Sequence, residues 1–301
     1  MKNIHGNGNG NGNEDNSPLV IGGVGGSGTR VVAEIMMLAG IHLGYSLNPA
    51  NDNLSFTLIF KRNKWLLKVL KYELPIHHYI ALHEALLLNK PLSLREKTTL
   101  LKVLFYWAQR RETTLGLGRH WARRFVTEKL MAQIKKPEVS GRWGWKEPNS
   151  HILLYQLFDY YPNMKYVHTI RHGLDMSLSE NQQQLFNWCA MWGIETRCSP
   201  SEIRQRSLDY WLIVNERVVE LQKQFGQDRV LIVNYDELCC DPFEPIKKLL
   251  TFADVSVSQD CFVSMATLPK APSSLGRYKT TDLTSYDNNS LKRVRQLGFQ
   301  I

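Results

Sequence analysis

The chain of 301 residues is 43% apolar or aromatic, which is enough to bury the core of one large domain or two small ones. Its 20 glycines and 12 prolines are near the average share, which excludes a collagen-like or wholly disordered chain, and no apolar stretch reaches the roughly 18 to 20 residues of a transmembrane helix. The formal net charge of +9 comes from residues 51–140, where 17 basic residues face 7 acidic ones, while the other 20 basic and 21 acidic residues nearly cancel.

The N-terminal segment, residues 1–17, reads MKNIHGNGNGNGNEDNS and is predicted to be disordered, because it offers nothing to bury. It contains no apolar stretch, so a secretory signal is not expected. The five cysteines are odd in number, and Cys239 neighbours Cys240, which favours reduced thiols over a disulfide framework. No Cys or His cluster has the spacing of zinc ligands. From these observations together we expect a soluble, cytoplasmic protein.

The first ordered element is predicted to be a short buried strand at residues 19–21, followed by a glycine-rich turn and an amphipathic helix at residues 29–38. The turn reads GGVGGSGTR. Its glycines let several amide hydrogens converge, and the helix N-terminus adds partial positive charge. The turn is either a simple tightly packed turn or an anion-binding turn, and we prefer the interpretation that it is an anion cradle. The residues assigned to it are Gly25, Gly26, Ser27, Gly28, Thr29 and Arg30.

Two common phosphate loops do not fit this turn. A nucleotide triphosphatase loop ends in Lys followed by Ser or Thr, which contact phosphate and magnesium, and the turn has no lysine. The GxGxxG spacing of a dinucleotide fold can be placed on residues 23–28 only as GxGGxG, and no acidic residue follows a second strand at the distance needed for a ribose. Both functions are therefore disfavoured.

Residues 54–134 are predicted to be helical throughout, with apolar residues at spacings of three and four in LSFTLIFKRNKWLLKVLKYEL and LREKTTLLKVLFYWAQRRE. The basic excess of this region is either a solvated helical face or a surface that attracts an anionic ligand, a membrane surface or nucleic acid. Nucleic acid is the weakest of these, because no RNA- or DNA-reading motif accompanies the charge. A membrane surface would have to contact the stretch KRNKWLLKVLK, residues 61–71.

The rest of the chain alternates helices with strands. Two further strands are predicted at residues 166–170 and 230–233, and helices at 152–160, from 174 onward, at 200–225 and at 242–252. Ser199 and Glu202 form a capping box before the third of these helices, and Gly226 ends it. The alternation predicts an α/β fold in three layers, a parallel sheet flanked by helices, in one domain of residues 18–301 with a helical insertion at about residues 51–140.

A second anion site is predicted where the strand at residues 166–170 ends. Arg171 lies at its carboxyl end, where ligands bind in open parallel sheets, and Ser179 follows one or two turns into the next helix. An arginine fork and a serine hydroxyl so placed can hold a phosphate. With this pair, Asp175 between them and SGT at residues 27–29, the sequence resembles the sulfotransferases that use 3′-phosphoadenosine 5′-phosphosulfate (PAPS) and have a P-loop NTPase-like fold. In that family the loop after the first strand binds the 5′-phosphosulfate, and an Arg-x7-Ser motif binds the 3′-phosphate.

Three further stretches share this resemblance. GWKEPNS, residues 144–150, is similar to an element of the tyrosylprotein sulfotransferase branch that places an active-site lysine at Lys146. VLIVNYDELCCDPFEPIKKLLTF, residues 230–252, resembles the family's strand and helix around a Tyr-acidic-acidic-Leu core. SSLGRYK looks like the late basic loop that closes over the cofactor, which implies that Arg277 is a phosphate ligand. Together the matches extend over residues 18–48 and 142–279.

The resemblance implies in-line transfer of a sulfuryl group from PAPS to a hydroxyl or amine of an acceptor, expected to be a small molecule, with adenosine 3′,5′-bisphosphate (PAP) as product and no metal. Lys146 would stabilise the leaving group. In several branches a Glu shortly after the first helix acts as the general base, and Asp52 is the only carboxylate in the corresponding stretch here. Asp52 could instead cap the next helix. His151 and His42 are alternative bases. The insertion is expected to form the acceptor pocket and lid.

One departure from the family pattern lies at Gly26, where most members have a Lys or Arg that touches the bridging oxygen of the phosphosulfate. Arg30 or Lys146 would have to replace that charge. The loop of the heparan-sulfate 3-O-sulfotransferases is similar in having an Arg directly after its Thr, but it keeps the Lys. The departure leaves open a PAPS- or nucleotide-binding protein that has lost catalysis, whereas a P-loop kinase is disfavoured by the missing Lys-Ser/Thr. The sequence fixes neither the acceptor nor the oligomeric state.

Overall fold

The computed structural model describes residues 17–111 and 117–301, and within them four parallel strands form one sheet in the order β2-β1-β3-β4. The strands are β1 (Leu19–Gly23), β2 (Gly144–Lys146), β3 (Lys165–Ile170) and β4 (Val230–Asn234). Ile21, in the middle of β1, is opposite Lys146 on one side and Val167 on the other. The disorder predicted for residues 1–17 lies outside the described residues, except at Ser17.

Helices connect the strands, and most of them lie between β1 and β2 or after β3. The α-helices are α1 (Thr29–Leu38), α2 (Leu54–Phe60), α3 (Asn63–Lys71), α4 (His77–Leu88), α5 (Leu94–Ala108), α6 (Arg119–Arg124), α7 (Met131–Gln133), α8 (Leu154–Tyr160), α9 (Gly173–Ser177), α10 (Gln183–Trp188), α11 (Pro200–Phe225), α12 (Tyr235–Cys240), α13 (Phe243–Phe252), α14 (Gln259–Ala266) and α15 (Asn288–Gln296). A π-helix, Phe125–Leu130, joins α6 to α7, and 3-10 turns lie at Pro148–Leu153, Cys189–Met191 and Arg277–Thr280. In the part of the chain that the structure describes, no helix is long and apolar enough to cross a bilayer.

The sheet is covered by helices on both faces, because alternate side chains of each strand enter different cores. Val20 of β1 and Tyr166 of β3 belong to one core, which continues into the helices between β1 and β2. Ile21 of β1 and Val167 of β3 belong to the other, which they share with α1, α13 and α14. The predicted fold class, a three-layer α/β arrangement with a parallel sheet flanked by helices, is confirmed.

Most predicted elements have the expected bounds. α1 coincides with the predicted helix, and the capping box of α11 is present, with Ser199 and Glu202 each accepting a hydrogen bond from the other's backbone amide. β2 is the strand that the sequence pattern does not predict, because its three residues are too few to show a period.

The segment after β3 differs from the prediction. α9 ends at Ser177, so Ser179 lies in the loop that follows and not inside a helix. The side-chain amide of Gln182 donates to the carbonyl oxygens of Ser177 at 3.1 Å and Ser179 at 2.6 Å, and its oxygen accepts from the hydroxyl of Ser207 at 2.6 Å. This one side chain therefore fixes the loop that carries Ser179 against α11.

The carboxyl ends of three strands meet at one edge of the sheet. β1 ends at Gly23, β2 at Lys146 and β3 at Ile170, directly before Arg171. Parallel strands in adjacent register bring their carboxyl ends together, and open sheets bind ligands there. The glycine turn, Lys146 and Arg171 are thus neighbours in the fold although they are distant in the sequence.

Candidate active site

A cleft of about 540 Å³ opens at this edge of the sheet. Every predicted site residue lines it except Ser27, which is fully buried. Among the described residues that line the cleft, the only carboxylate is Asp52. The cationic side chains that line it are Arg30, Lys61, Lys146, Arg171 and Arg277. The cleft is therefore suited to an anionic ligand.

The glycine turn is shaped by two close contacts. At Gly28, where φ is +92°, a Cβ would overlap the ring of Tyr235. At Gly23 a Cβ would lie 2.5 Å from the carbonyl oxygen of Thr169 and 2.7 Å from the hydroxyl of Ser27. Only glycine permits this approach of the turn to β3 and α12.

Ser27 is fully buried, and its hydroxyl has no hydrogen-bond partner among the described residues. A buried hydroxyl without a partner is costly unless a ligand completes it. Thr29, which lines the cleft, begins α1, so the helix N-terminus also faces the site. The turn thus has the donors of the predicted anion cradle.

Gly26 occupies the exposed crest of the turn with φ at +91°, a left-handed conformation that disfavours any other residue. The cation expected from the family pattern is absent from this position. The neighbouring amide of Gly25 donates to Oε1 of Gln184 in α10 at 2.6 Å. Sequence reasoning missed Gln184, because a carboxamide 159 residues away carries no motif.

Arg171 is 7% exposed and is held by one hydrogen bond and two long ion-pair contacts. Its guanidinium donates to the hydroxyl of Ser274 at 2.9 Å, and it lies 4.0 Å from the carboxylate of Asp175 and 3.9 Å from that of Asp236. Burial raises the pKa of Asp236 in spite of this arginine. Nε of Arg171 has no hydrogen-bond partner among the described residues, so the guanidinium retains donor capacity for a ligand.

The late basic loop is fastened to α9 by Asp175, which is fully buried. Its carboxylate accepts from the amides of Gly276 at 2.6 Å and Tyr278 at 3.1 Å, and its carbonyl oxygen accepts from Nε of Arg277 at 2.9 Å. These bonds place Ser274 and Arg277 beside Arg171 at the cleft. Asp175 is therefore a positioning residue for the loop.

The two residues predicted to be catalytic are in direct contact. The ammonium of Lys146 lies 2.5 Å from Oδ1 of Asp52 and donates to the carbonyl of Ala50 at 2.9 Å. Oδ2 of Asp52 accepts from the side chain of Asn48 at 2.9 Å. The N-cap of α2 is Asn53, so the interpretation of Asp52 as a helix cap is wrong.

A second Lys–carboxylate pair lies next to the first. The ammonium of Lys61 is 2.5 Å from Glu147, whose side chain is fully buried and also accepts from the amide of Asn149 at 2.7 Å. Burial lowers the pKa of Lys61, but the charge and hydrogen bond of Glu147 and the charge of Asp52 together outweigh it, so the pKa is raised. Glu147 follows Lys146 directly, so the Lys-acidic-Pro element holds one member of each pair.

The two histidines considered as bases lie outside the cleft lining. His151 is buried, and its Nε2 is 3.3 Å from the hydroxyl of Tyr210, which does line the cleft. Burial, with His168 and Arg217 nearby, lowers the pKa of His151 well below its usual value. His42 pairs with Trp143 at the opposite end of β2. Of the three candidate bases, only Asp52 borders the cleft.

Comparison with known proteins gives one family and its fold. A profile of the sulfotransferase family matches residues 18–259. A sulfotransferase domain from the curacin biosynthetic pathway superposes with a TM-score of 0.50 at 13% identity, covering 95% of this chain and 99% of that one. The sulfotransferase domain of the Synechococcus PCC 7002 olefin synthase gives 0.48 at 13% identity over 95% and 96%, and a sulfotransferase from Mycobacterium avium gives 0.46 at 15% identity over 94% and 75%. No curated protein sequence matches.

Proposed function

The chain belongs to the sulfotransferase family, and we propose that it transfers a sulfuryl group from PAPS to a hydroxyl or amine of a small-molecule acceptor. The observation that supports this most directly is the composition of the cleft. One cavity borders the glycine turn after β1, Arg171 and Arg277 near β3, and the pair formed by Lys146 and Asp52. These are the groups that a doubly phosphorylated donor and its transferable sulfuryl group require.

The donor fits two anion-binding regions of the cleft. The glycine turn, with the unpartnered hydroxyl of Ser27 and the N-terminus of α1, would hold the 5′-phosphosulfate. Arg171, whose Nε has no hydrogen-bond partner among the described residues, would hold the 3′-phosphate together with Ser179 and Arg277. The fit rests on Ser27 and Arg171, each of which has a buried polar atom without a hydrogen-bond partner among the described residues.

The reaction needs a base and a stabilised leaving group. As the acceptor oxygen or nitrogen bonds to sulfur, the bond from sulfur to the bridging oxygen breaks and PAP leaves with the electron pair. Asp52 takes the proton of the acceptor, and Lys146 neutralises charge on the bridging oxygen. Lys146 has this task because Gly26 offers no cation and no side chain fits its conformation without strain.

A binding protein without catalysis is the second candidate, and Gly26 is the observation that favours it. In that case PAP would bind with the 3′-phosphate dependence of a sulfotransferase, but labelled sulfate would reach no acceptor. A panel of phenols, alcohols and amines incubated with ³⁵S-labelled PAPS separates the two candidates.

Calorimetric titration with PAP, and with adenosine 5′-phosphate as comparison, tests the donor. Arg171→Ala should weaken PAP binding by about tenfold or more, because a charge-assisted hydrogen bond contributes roughly 1.5–3 kcal/mol. Arg295→Ala, which changes an exposed arginine of α15, is the matched control and should leave the affinity unchanged. Equal and weak binding of both nucleotides would contradict the proposal, and magnesium-dependent ATP turnover would favour a kinase instead.

A further inference from the structure

A second cavity of about 520 Å³ adjoins the cleft, and we call it the side cavity. It lies between the segment that carries α3, the end of α5 and α10, so most of it is built from the helices between β1 and β2. Lys61, Gln183 and Asn187 line both the side cavity and the cleft. Because Lys61 is paired with Glu147 beside Lys146, the side cavity begins next to the proposed reacting groups.

Aromatic rings form the apolar part of the side cavity. Trp107 is 4% exposed and its indole donates to the carbonyl of Leu58 at 2.8 Å, which fixes the ring. Tyr106 packs edge-on against Trp107, with ring centroids 5.4 Å apart. Phe186 of α10 also borders the cavity and is 54% exposed, so its ring is accessible to a ligand. A small molecule with a flat apolar or aromatic ring system could pack against these side chains.

The charged residues of the side cavity are all cations. No Asp or Glu occurs among the described residues that line it. Lys61 is neutralised by Glu147, but Lys64 and Arg110 form no ion pair within the described part of the chain. Arg110 instead places its guanidinium 4.5 Å from the ring centroid of Tyr106, at the rim of the apolar wall. The cavity therefore combines aromatic walls with two positive charges that no described carboxylate neutralises.

We propose that the acceptor is an aromatic hydroxyl compound that carries a carboxylate, with its ring against the aromatic walls and its carboxylate near Lys64 and Arg110. This inference rests on the proposed function. The hydroxyl oxygen bonds to sulfur, the sulfur–bridging oxygen bond breaks, the hydroxyl proton goes to Asp52, and the carboxylate is unchanged. Lys64 and Arg110 contribute to acceptor binding and take no part in the chemical step.

A pair of probes with the same ring isolates the carboxylate. 6-Hydroxy-2-naphthoate and 2-naphthol both present a transferable hydroxyl, and only the first is anionic. We expect the wild-type protein to favour the naphthoate by about tenfold in KM, as a charge-assisted contact predicts. The preference should fall as salt is added, because the cations are partly exposed.

The double variant Lys64→Gln/Arg110→Gln should reduce the preference to about twofold by raising KM for the naphthoate, with kcat unchanged. Lys68→Gln, one turn further along α3 and exposed, is the matched control and should keep the preference. Equal KM values for the two probes in the wild type, a preference that survives the double variant, or an equal loss in Lys68→Gln would each overturn the inference.

Two further measurements separate this inference from the proposed function. PAP affinity, measured on the same samples, should be the same in all variants, and failure of the wild type to bind PAP would overturn the proposed function itself. Quenching of tryptophan fluorescence by the naphthoate, which Trp107 should report, tests the side cavity without turnover. Naphthoate binding no tighter than naphthol binding in that titration would overturn the inference whether or not sulfate is transferred.

Discussion

The ammonium of Lys146 lies 2.5 Å from Oδ1 of Asp52, although 94 residues separate them in the chain. The contact joins the end of an edge strand to the loop before α2, and the amide of Asn53 reinforces it by donating to the carbonyl of Lys146 at 2.8 Å. In the proposed mechanism, a base and a leaving-group cation held together in this way would keep each other oriented before a ligand binds. Each would then have to exchange this contact for one with the ligand in order to act.

Lys146→Met should lower kcat by about 100-fold, because removal of one donor to the developing oxyanion costs roughly that factor in other enzymes. The affinity for PAP should change less, since the phosphates have other partners. Transfer of labelled sulfate and calorimetry measure the two quantities. Lys292→Met, at an exposed position of α15, is the control. A variant that retains full kcat would show that another cation, such as Arg30, neutralises the leaving group.

Asp52→Asn should lower kcat by about 100-fold for an aliphatic alcohol, which must lose its proton during transfer. The decrease should be much smaller for 4-nitrophenol assayed at about pH 8, where most of this phenol is already ionised and needs no base. The ratio of the two effects is the measurement, because a general loss of folding would lower both rates alike. Equal decreases would contradict the role of Asp52 as the base.

The fold could be predicted where the chain has enough residues to show a pattern. α1 has ten residues with an amphipathic period and coincides with its prediction, whereas β2 has three and was not predicted. The predicted extent of α9 was wrong for another reason. The loop after it is held by the side chain of Gln182, whose oxygen accepts from Ser207 of α11, a tertiary contact that no local pattern predicts.

The residues of the candidate site also fall into two groups, those that local sequence reveals and those that only the fold reveals. Arg171, Lys146 and the glycine turn carry motifs, and all of them border the cleft. Gln184 and Lys61 carry none, since their partners, Gly25 and Glu147, come from elements far apart in sequence. Sequence spacing therefore locates groups at the ends of strands, and only the fold shows which side chains approach them from the insertion and from α10.

Asp175→Asn should loosen the late basic loop and weaken PAP binding by about tenfold. The fully buried carboxylate accepts two backbone amides of the loop, and an amide in its place keeps one acceptor and brings a donor against the other N–H. Limited trypsin digestion, read by mass spectrometry, should show faster cleavage after Arg277 or Lys279. Asp282→Asn, an exposed carboxylate close by, is the control. Unchanged cleavage together with unchanged PAP affinity would contradict this role.

His83 should make stability depend on pH. It is fully buried between Phe56 and Trp145, neither ring nitrogen has a partner among the described residues, and burial lowers its pKa to about 3. The unfolded chain therefore binds the proton more readily below about pH 6.5. The contribution of neutral His83 to the free energy of unfolding is complete above that pH and is lost as the pH falls towards 3. At pH 5 the loss is about 2 kcal/mol.

Urea denaturation of the wild type and His83→Phe between about pH 5 and 7.5 measures this effect. The variant should lose about 2 kcal/mol less than the wild type over that interval, whatever its stability at neutral pH. His168, whose pKa burial lowers to about 4, is present in both proteins and cancels in the comparison. Parallel pH profiles would show that His83 is solvated or paired in the folded protein.

Gln184→Ala should strengthen PAP binding by about two- to tenfold, the net value of one hydrogen bond. Its Oε1 accepts from the amide of Gly25 at 2.6 Å and so competes with the 5′-phosphate for a donor of the glycine turn. Gln184→Glu should act in the opposite direction, because its carboxylate accepts from the same amide and repels the phosphate. Calorimetry with PAP measures both variants, and Gln296→Ala, at the exposed end of α15 and away from the cleft, is the control. If both Gln184 variants weaken binding, Gln184 contacts the donor directly, and its hydrogen bond with Gly25 is made only when the donor is absent.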